Sequence, residues 1–134
     1  MKYLVSVEQM TAAELKSEGK GVSRVRLMRN AAESILNFLK NKFSDISEKT
    51  VAIVCGSGNN GGDGAALACL LLREKIKVRL VIPSRFPDTE TARECLKEFG
   101  ELDLNSVRED KPEAAFEKAD IIIDCVFGTG FHGE

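Results

Sequence analysis

Apolar positions recur every three or four residues across residues 22–43, which is the spacing of one face of an α-helix. Polar and charged residues fill the other positions, so this segment is predicted to be a long amphipathic helix with Ser23 as its N-cap. A shorter helix is expected to begin near Ser6, because Ser6 and Gln9 have the spacing of a capping box. The apolar positions of the long helix are Val25, Met28, Ala32, Ile35, Leu39 and Phe43.

Three segments, at residues 51–55, 78–82 and 121–126, are rich in apolar and β-branched side chains, and the first is a continuous apolar run. Such runs are typical of strands that are buried on both faces, as in a parallel sheet. The run at 51–55 is taken as the first strand, and a short, weak strand is expected at 102–107.

Helices are predicted between these strands. The Ala- and Leu-rich run at 65–72 is a strong helix former, and a further helix is expected to begin near Asp88 or Thr89 and to end just before Gly100. Asp110 is predicted to cap a brief helix with Pro112 in its first turn. The alternation of strands and helices predicts a three-layer α/β/α, Rossmann-like, doubly wound and mostly parallel sheet with N-terminal helices, formed as one domain by residues 1–134.

The composition is that of an ordinary soluble domain. The chain has 134 residues with 19 Lys and Arg against 21 Asp and Glu, a net charge of −2, so neither nucleic acid nor a membrane surface is an expected partner. The longest apolar run, 65–72, is too short to span a membrane, and residues 1–5 are too short a run for a secretory signal, so the cytoplasm is expected.

Four cysteines are spread along the chain without a Cys-x-x-Cys pair, and His132 is the one histidine. A zinc site is therefore not expected, and the thiols are predicted to be reduced and mostly buried. No general base stands near Cys55 or Cys125 in the sequence, which argues against nucleophilic catalysis by either.

Two glycine-rich segments, 56–64 and 127–134, follow apolar strands. In an open parallel sheet, ligands bind beyond the carboxyl ends of the strands where the strand order reverses, so both segments are expected at one cleft. Residues 56–61 match the dinucleotide fingerprint G-x-G-x-x-G. A standard dehydrogenase is disfavoured, because Arg85 follows the second strand where an acidic ribose ligand is usual, although an arginine there could meet a 2′-phosphate.

Asp63 argues further against a pyrophosphate on the first segment, because a carboxylate about 4 Å from a phosphate is repelled by about 1–4 kcal/mol per unit charge. The first segment is expected instead to offer oxygens to hydroxyls or to a cation. Asn60, Asp124 and loop carbonyls would form an oxygen-only cage that suits potassium better than magnesium. The amides and hydroxyl of Gly128, Thr129 and Gly130 are the better phosphate candidates.

A structural alternative stays open for the glycine segments. Glycines at strand-to-helix turns often serve only positive φ, and Asp63 could be a plain N-cap. Asp124 is harder to explain in this way, because a carboxylate that ends an apolar strand must be exposed in a cleft or paired. Phe131 and His132 have simpler explanations, as a packing side chain and a solvated one.

At these residues the sequence resembles the YjeF N-terminal family, the NAD(P)H-hydrate epimerases. The resemblance rests on the motif at 59–64 behind a Cys-Gly-x-Gly lead-in, on residues 124–130, and on Leu27-Met28-x-x-Ala31-Ala32 in the long helix. It implies an isomerase of nucleotide repair that interconverts the R and S forms of hydrated NADH and NADPH, so that a partner ADP- or ATP-dependent dehydratase can restore the S form. It also suggests a homodimer.

The resemblance assigns site residues as well. The hydrated dinucleotide would contact two sets of residues, and potassium would be held by Asn60 and Asp124. The first set is Asn59, Asn60, Gly61, Gly62 and Asp63, and the second is Gly128, Thr129, Gly130, Phe131, His132, Gly133 and Glu134.

One departure concerns the proton-transfer residue. The family continues into an Asp-Ile-Pro-Ser-Gly stretch that carries it, whereas this chain stops at Glu134. The chain is therefore expected to be a fragment that binds and turns over little alone, with a bifunctional epimerase–dehydratase as one candidate parent. Two other classes stay open: a Rossmann-type NADP-binding oxidoreductase, and a non-catalytic dimerisation scaffold like the relatives that serve in mRNA decapping. The preference between hydrated NADH and NADPH is left open.

Overall fold

The computed structural model describes residues 2–6, 23–56, 59–82, 89–100 and 104–126. Five strands and four α-helices alternate over these ranges, with short 3₁₀ turns at Ile46–Glu48 and Leu104–Val107. The strands are β1 (Tyr3–Ser6), β2 (Thr50–Cys55), β3 (Lys77–Val81), β4 (Arg108–Glu109) and β5 (Ile121–Cys125). The helices are α1 (Arg24–Lys42), α2 (Asn59–Arg73), α3 (Glu90–Lys97) and α4 (Pro112–Lys118).

The strands form one parallel sheet in the order β1-β5-β2-β3-β4. From β2 the chain adds β3 and β4 on one side, and then crosses to place β5 on the other side of β2. The strand order therefore reverses between β2 and β5, which is where a doubly wound sheet binds its ligands. The predicted fold class is confirmed.

Helices cover both faces of the sheet. Helices α1, α2 and α3 bury the larger core on one face, around Ile35, Leu67 and Leu80. Helix α4 covers a smaller cluster on the other face, where Ala115 packs with Ala52 and Val81. No helix in the described part of the chain is long and apolar enough to cross a membrane.

The predicted helix ends agree with several observed ones. The Ser23 side chain caps α1 by accepting a hydrogen bond from the Arg26 amide at 3.1 Å, and Thr89 caps α3 by accepting from the Ala92 amide at 3.2 Å. Gly100 follows α3 with φ at +73°, the left-handed conformation that favours glycine after a helix.

The sequence analysis does not predict strand β1. The segment 51–55, predicted as the first strand, is therefore the second strand of the structure. Tyr3 and Val5 pack on the large core while Leu4 stays 73% exposed, an alternation too short to stand out in the sequence. Ser6 ends this strand, and the helix expected from Ser6 onward falls on residues 7–22, outside the described ranges.

Two predictions around β4 are wrong. Residues 104–107 form a 3₁₀ turn rather than a strand, and β4 has only the two residues Arg108 and Glu109, which pair with the end of β3. The residue that caps α4 is Lys111 rather than Asp110, and no side-chain hydrogen bond closes that cap. Pro112 at the start of α4 fixes the backbone there without needing such a bond.

Candidate functional site

The carboxyl ends of β2 and β5 lie side by side. The two strands pair from Val51 with Ile121 to Cys55 with Cys125, and the Gly56 amide donates a hydrogen bond to the Cys125 carbonyl at 3.1 Å. A Cβ built on Gly56 would lie 2.7 Å from the Val126 carbonyl oxygen, so only glycine permits this approach. Both glycine-rich segments therefore leave the sheet at one edge, as the strand pattern predicts.

Helix α2 begins at Asn59, well before the predicted start at residue 65. Gly61, Gly62 and Gly64 therefore lie in its first turns, although glycine is a poor helix former. The first amides of α2 have no partner within the helix and lie at the carboxyl edge of the sheet, where the helix dipole favours an anion.

The glycines of α2 are required for close packing rather than for an unusual backbone conformation. A Cβ on Gly61 would lie 1.8 Å from the Gly56 carbonyl oxygen, and a Cβ on Gly64 would lie within 2.9 Å of the Cys55 and Cys125 sulfurs. Among the described glycines, only Gly100 has a positive φ. The alternative that these glycines serve positive φ is therefore wrong for the glycines of α2.

Asp63 is buried inside α2, with 8% of its surface exposed. Burial raises the pKa of its carboxyl to about 7, and a charge there raises the pKa of the neighbouring Cys55 and Cys125 thiols. The N-cap interpretation is wrong, because α2 already begins at Asn59. The repulsion argument against a phosphate at this segment is weakened, since it assumed a fully charged carboxylate, whereas a pKa of about 7 leaves Asp63 partly neutral at pH 7.

Asp124 is the penultimate residue of β5 and is half-buried. Its Oδ1 accepts a hydrogen bond from the Val126 amide at 3.0 Å, which holds the carboxylate at the end of the strand. Side chains alternate along a strand, and Cys125 faces α2, so Asp124 lies on the opposite face of the sheet, the face that α4 covers. Asp63 and Asp124 are therefore on different faces, and the paired ends of β2 and β5 present the Asp124 carboxylate.

The cysteines are buried and unpaired in the described structure, as expected for reduced thiols. Burial is the largest cause that raises the pKa of Cys55 to about 12 and those of Cys69 and Cys95 to about 11. These thiols stay protonated at neutral pH, so none of them is primed as a nucleophile.

The described structure includes only some of the remaining predicted site residues. Asn59 and Asn60 have helical backbones at the start of α2, and their side chains lie outside the description, as do residues 127–134 altogether. Within the described ranges, no three His, Cys, Asp or Glu side chains come close enough to hold a metal ion. The sequence analysis missed Gly56 and Gly64 as residues that shape the site, although both belong to its glycine motif.

Comparison with known proteins assigns the chain to a family. The family model described as "YjeF-related protein N-terminus" matches residues 24–134, which include both strand ends and all of α2. The chain belongs to this family. The resemblance read from the glycine motif is thereby confirmed.

Curated relatives of this YjeF-related domain carry related names. The bifunctional NAD(P)H-hydrate repair enzyme Nnr of Dictyoglomus turgidum is 33% identical over 138 residues, an alignment that covers 100% of this chain and 26% of the relative. The NAD(P)H-hydrate epimerase of Nitrosopumilus maritimus is 29% identical over 140 residues, covering 97% of this chain and 61% of the relative. The chain thus spans about a quarter of its bifunctional relatives and under two thirds of this epimerase.

A solved structure has the same fold. The crystal structure of yeast ynu0 superposes on the YjeF-related domain with a TM-score of 0.64 at 24% sequence identity, over 100% of this chain and 60% of the yeast chain. At this identity the comparison concerns the fold alone. It supports the order and direction of strands that bring the ends of β2 and β5 together.

Proposed function

We propose that this domain is the epimerase part of an NAD(P)H-hydrate repair enzyme, an isomerase that interconverts the R and S forms of hydrated NADH and NADPH. The observation that carries the proposal is the shared edge at which β2 and β5 end, with the start of α2 and the Asp124 carboxylate beside it. Relatives that align along nearly the whole chain are named as an NAD(P)H-hydrate repair enzyme and as an NAD(P)H-hydrate epimerase, which supports the proposal.

The dinucleotide would lie along this edge. The free amides at the start of α2 supply donors and a positive dipole end for a phosphate, and the buried Asp63 does not oppose them with a full charge. Residues 59–63 form one wall of the proposed site. Residues 128–134, which lie outside the described ranges, would form the other wall, with Gly128, Thr129 and Gly130 as further amide and hydroxyl donors to the phosphates.

Potassium is the ion proposed for the same edge, held by Asn60 and Asp124. The donor set fits it: the paired ends of β2 and β5 offer the Asp124 carboxylate and the Val126 carbonyl oxygen, and the described residues hold no cluster of acidic or imidazole ligands that would suit a divalent metal. A bound potassium ion would supply a fixed positive charge that orients the substrate. Neutral oxygens that replace its water shell select a monovalent ion over magnesium.

The proposed role of residues 59–63 and of Asp124 is to bind and orient the substrate. Epimerisation needs an acid–base group beside the hydroxyl-bearing carbon of the hydrated nicotinamide. The family resemblance implies that role for the Asp of an Asp-Ile-Pro-Ser-Gly segment, a motif that residues 1–134 do not contain. Asp124 would contribute by holding the ion and the loop that follows β5.

The proposed partner domain is a dehydratase that would consume the S form, which is consistent with the names of the bifunctional relatives. The homodimer is proposed from the family resemblance alone. The cytoplasm is the proposed compartment, because the four buried, unpaired cysteines suit a reducing environment.

The proposal is tested by incubating the complete protein with the R form of hydrated NADH and following the appearance of the S form by chiral chromatography. We expect conversion in potassium buffer and at least about tenfold slower conversion when sodium, a smaller ion, replaces potassium. The absence of conversion in both buffers would refute the proposed epimerase activity. Oxidation or reduction of a bound NADP would favour an oxidoreductase, and a stable dimer without turnover would favour a scaffold.

A further inference from the structure

A second cleft lies at the opposite edge of the sheet, where the strands begin. Its volume is about 540 Å³, and it is formed by the first residues of β2 and β3, the end of α2 and the end of α4. Because it lies at the amino ends of the strands, it is separated from the candidate epimerase site by the length of the sheet. Nothing in the proposed function uses it.

The described lining of this cleft contains four cationic side chains and no acidic one. The cations are Lys75, Lys77, Arg79 and Lys118. This local excess contrasts with the chain as a whole, whose net charge is −2. The amino edge therefore attracts anions, in a protein whose overall charge does not.

Two acidic residues near the cleft have described partners. Glu74 pairs with Lys40 at 2.6 Å, and Asp120 accepts a hydrogen bond from the Thr50 amide at 2.9 Å through its Oδ2. None of the four cleft cations forms an ion pair with another described residue. Their charges are thus available to a ligand.

Lys75 has an unusual backbone for its residue type. The end of α2 is a Schellman motif, in which the Ile76 amide donates to the Leu71 carbonyl at 2.9 Å and the Lys75 amide donates to the Leu72 carbonyl at 3.0 Å. Lys75 occupies the left-handed position of that motif with φ at +61°, where glycine is the usual residue. A lysine at this position strains the backbone, and its side chain places a positive charge at the rim of the cleft.

The floor of the cleft is apolar. Ile76 and Val78 are buried beneath it, and Leu72 and Val107 line it as partly buried side chains. An apolar floor under a cationic rim suits a ligand with a charged phosphate and a less polar body. The volume is in the range of small-molecule sites, roughly 300–1,000 Å³.

We propose that this cleft binds a phosphorylated small molecule, at an anion site separate from the epimerase site. The four cations supply the attraction for the phosphate, and the apolar floor receives the organic part of the ligand. This proposal does not depend on the proposed epimerase function, and a failure of either one would leave the other unaffected.

The test measures binding of inorganic pyrophosphate to the complete protein by calorimetric titration at low ionic strength. Lys75→Gly and Lys118→Ala are each expected to weaken binding about fivefold, because each removes one nearby unit charge. Lys97→Ala is the matched control, since Lys97 and Lys118 each end a helix and only Lys118 lines the cleft. Lys75→Gly also relieves the strained φ, so its thermal stability is expected to be kept or raised, which excludes misfolding as the cause.

Several results would overturn the proposal. One is the absence of saturable binding, and another is equal weakening by Lys97→Ala and Lys118→Ala. A third is binding that Gly61→Ala abolishes while the lysine variants keep it, because the anion would then occupy the carboxyl edge. Binding of a hexaglutamate peptide in the cleft without any response to pyrophosphate would assign it to an acidic protein segment instead.

Discussion

Gly61→Ala is expected to reduce the epimerase rate of the complete protein by about 100-fold, because a displacement of about 1 Å at a catalytic site has an effect of that size. The added Cβ would lie 1.8 Å from the Gly56 carbonyl oxygen, so the start of α2 and the end of β2 must move apart. We also expect a loss of about 1–3 kcal/mol in the free energy of unfolding from this overpacking. Steady-state kinetics and urea unfolding measure the two effects.

Helix propensity predicts the opposite outcome for the same change. Alanine within a helix is favoured over glycine by about 1 kcal/mol, so without the close contact the variant would be more stable. Gly100→Ala is the control, because nothing lies within 4 Å of a Cβ there and the position is strained only by its φ of +73°. A Gly61→Ala variant with wild-type activity and raised stability would show that α2 does not approach β2 as described.

Asp63→Asn is expected to stabilise the folded protein by about 4 kcal/mol at pH 8 and by less than half as much at pH 5. Burial raises the carboxyl pKa from 3.8 in the unfolded chain to about 7 in the folded protein. Below pH 3.8 both states hold the proton. As the pH rises from there to about 7, the unfolded state releases its proton first, so the free energy of unfolding falls.

The full effect of this carboxyl is about 4 kcal/mol, from a shift of roughly three pKa units at 1.36 kcal/mol each. An asparagine has no charge to desolvate, so the pH dependence should flatten between pH 5 and 8. Asp110→Asn is the control, because the Asp110 side chain is 89% exposed and should show no such difference. Destabilisation by Asp63→Asn to the same extent at both pH values would mean that the carboxyl is not held neutral by burial.

The sheet and most helices were predictable because their signals are local. Strands β2, β3 and β5 are rich in apolar β-branched residues, and Ser23, Thr89 and Gly100 mark helix ends through their own side chains or backbone freedom. Strand β1 was not predictable, since its four residues become a strand by pairing with β5 more than a hundred positions away. The short 3₁₀ turn before β4 likewise depends on packing rather than on propensity.

The site was predictable in position and less so in chemistry. Strand alternation alone implies that the segments after Cys55 and Cys125 share an edge, and the structure shows this. The start of α2 at Asn59 was not predictable, because glycines have low helix propensity and the tertiary contacts of Gly61 and Gly64 override it. The burial of Asp63 was not predictable either, because it depends on the same tertiary packing of α2. The roles of Asn60 and of residues 128–134 stay predictions.

The rate at which the complete protein converts R to S hydrated NADH, compared between wild type and Asp124→Ala, tests the central claim most directly. If the ends of β2 and β5 build one epimerase site, Asp124→Ala should lower the rate by at least about 100-fold, since charged groups of this kind contribute several kcal/mol. Circular dichroism should show an unchanged fold. The exposed Asp110→Ala serves as control and should keep the wild-type rate. A wild-type rate in Asp124→Ala would contradict the account.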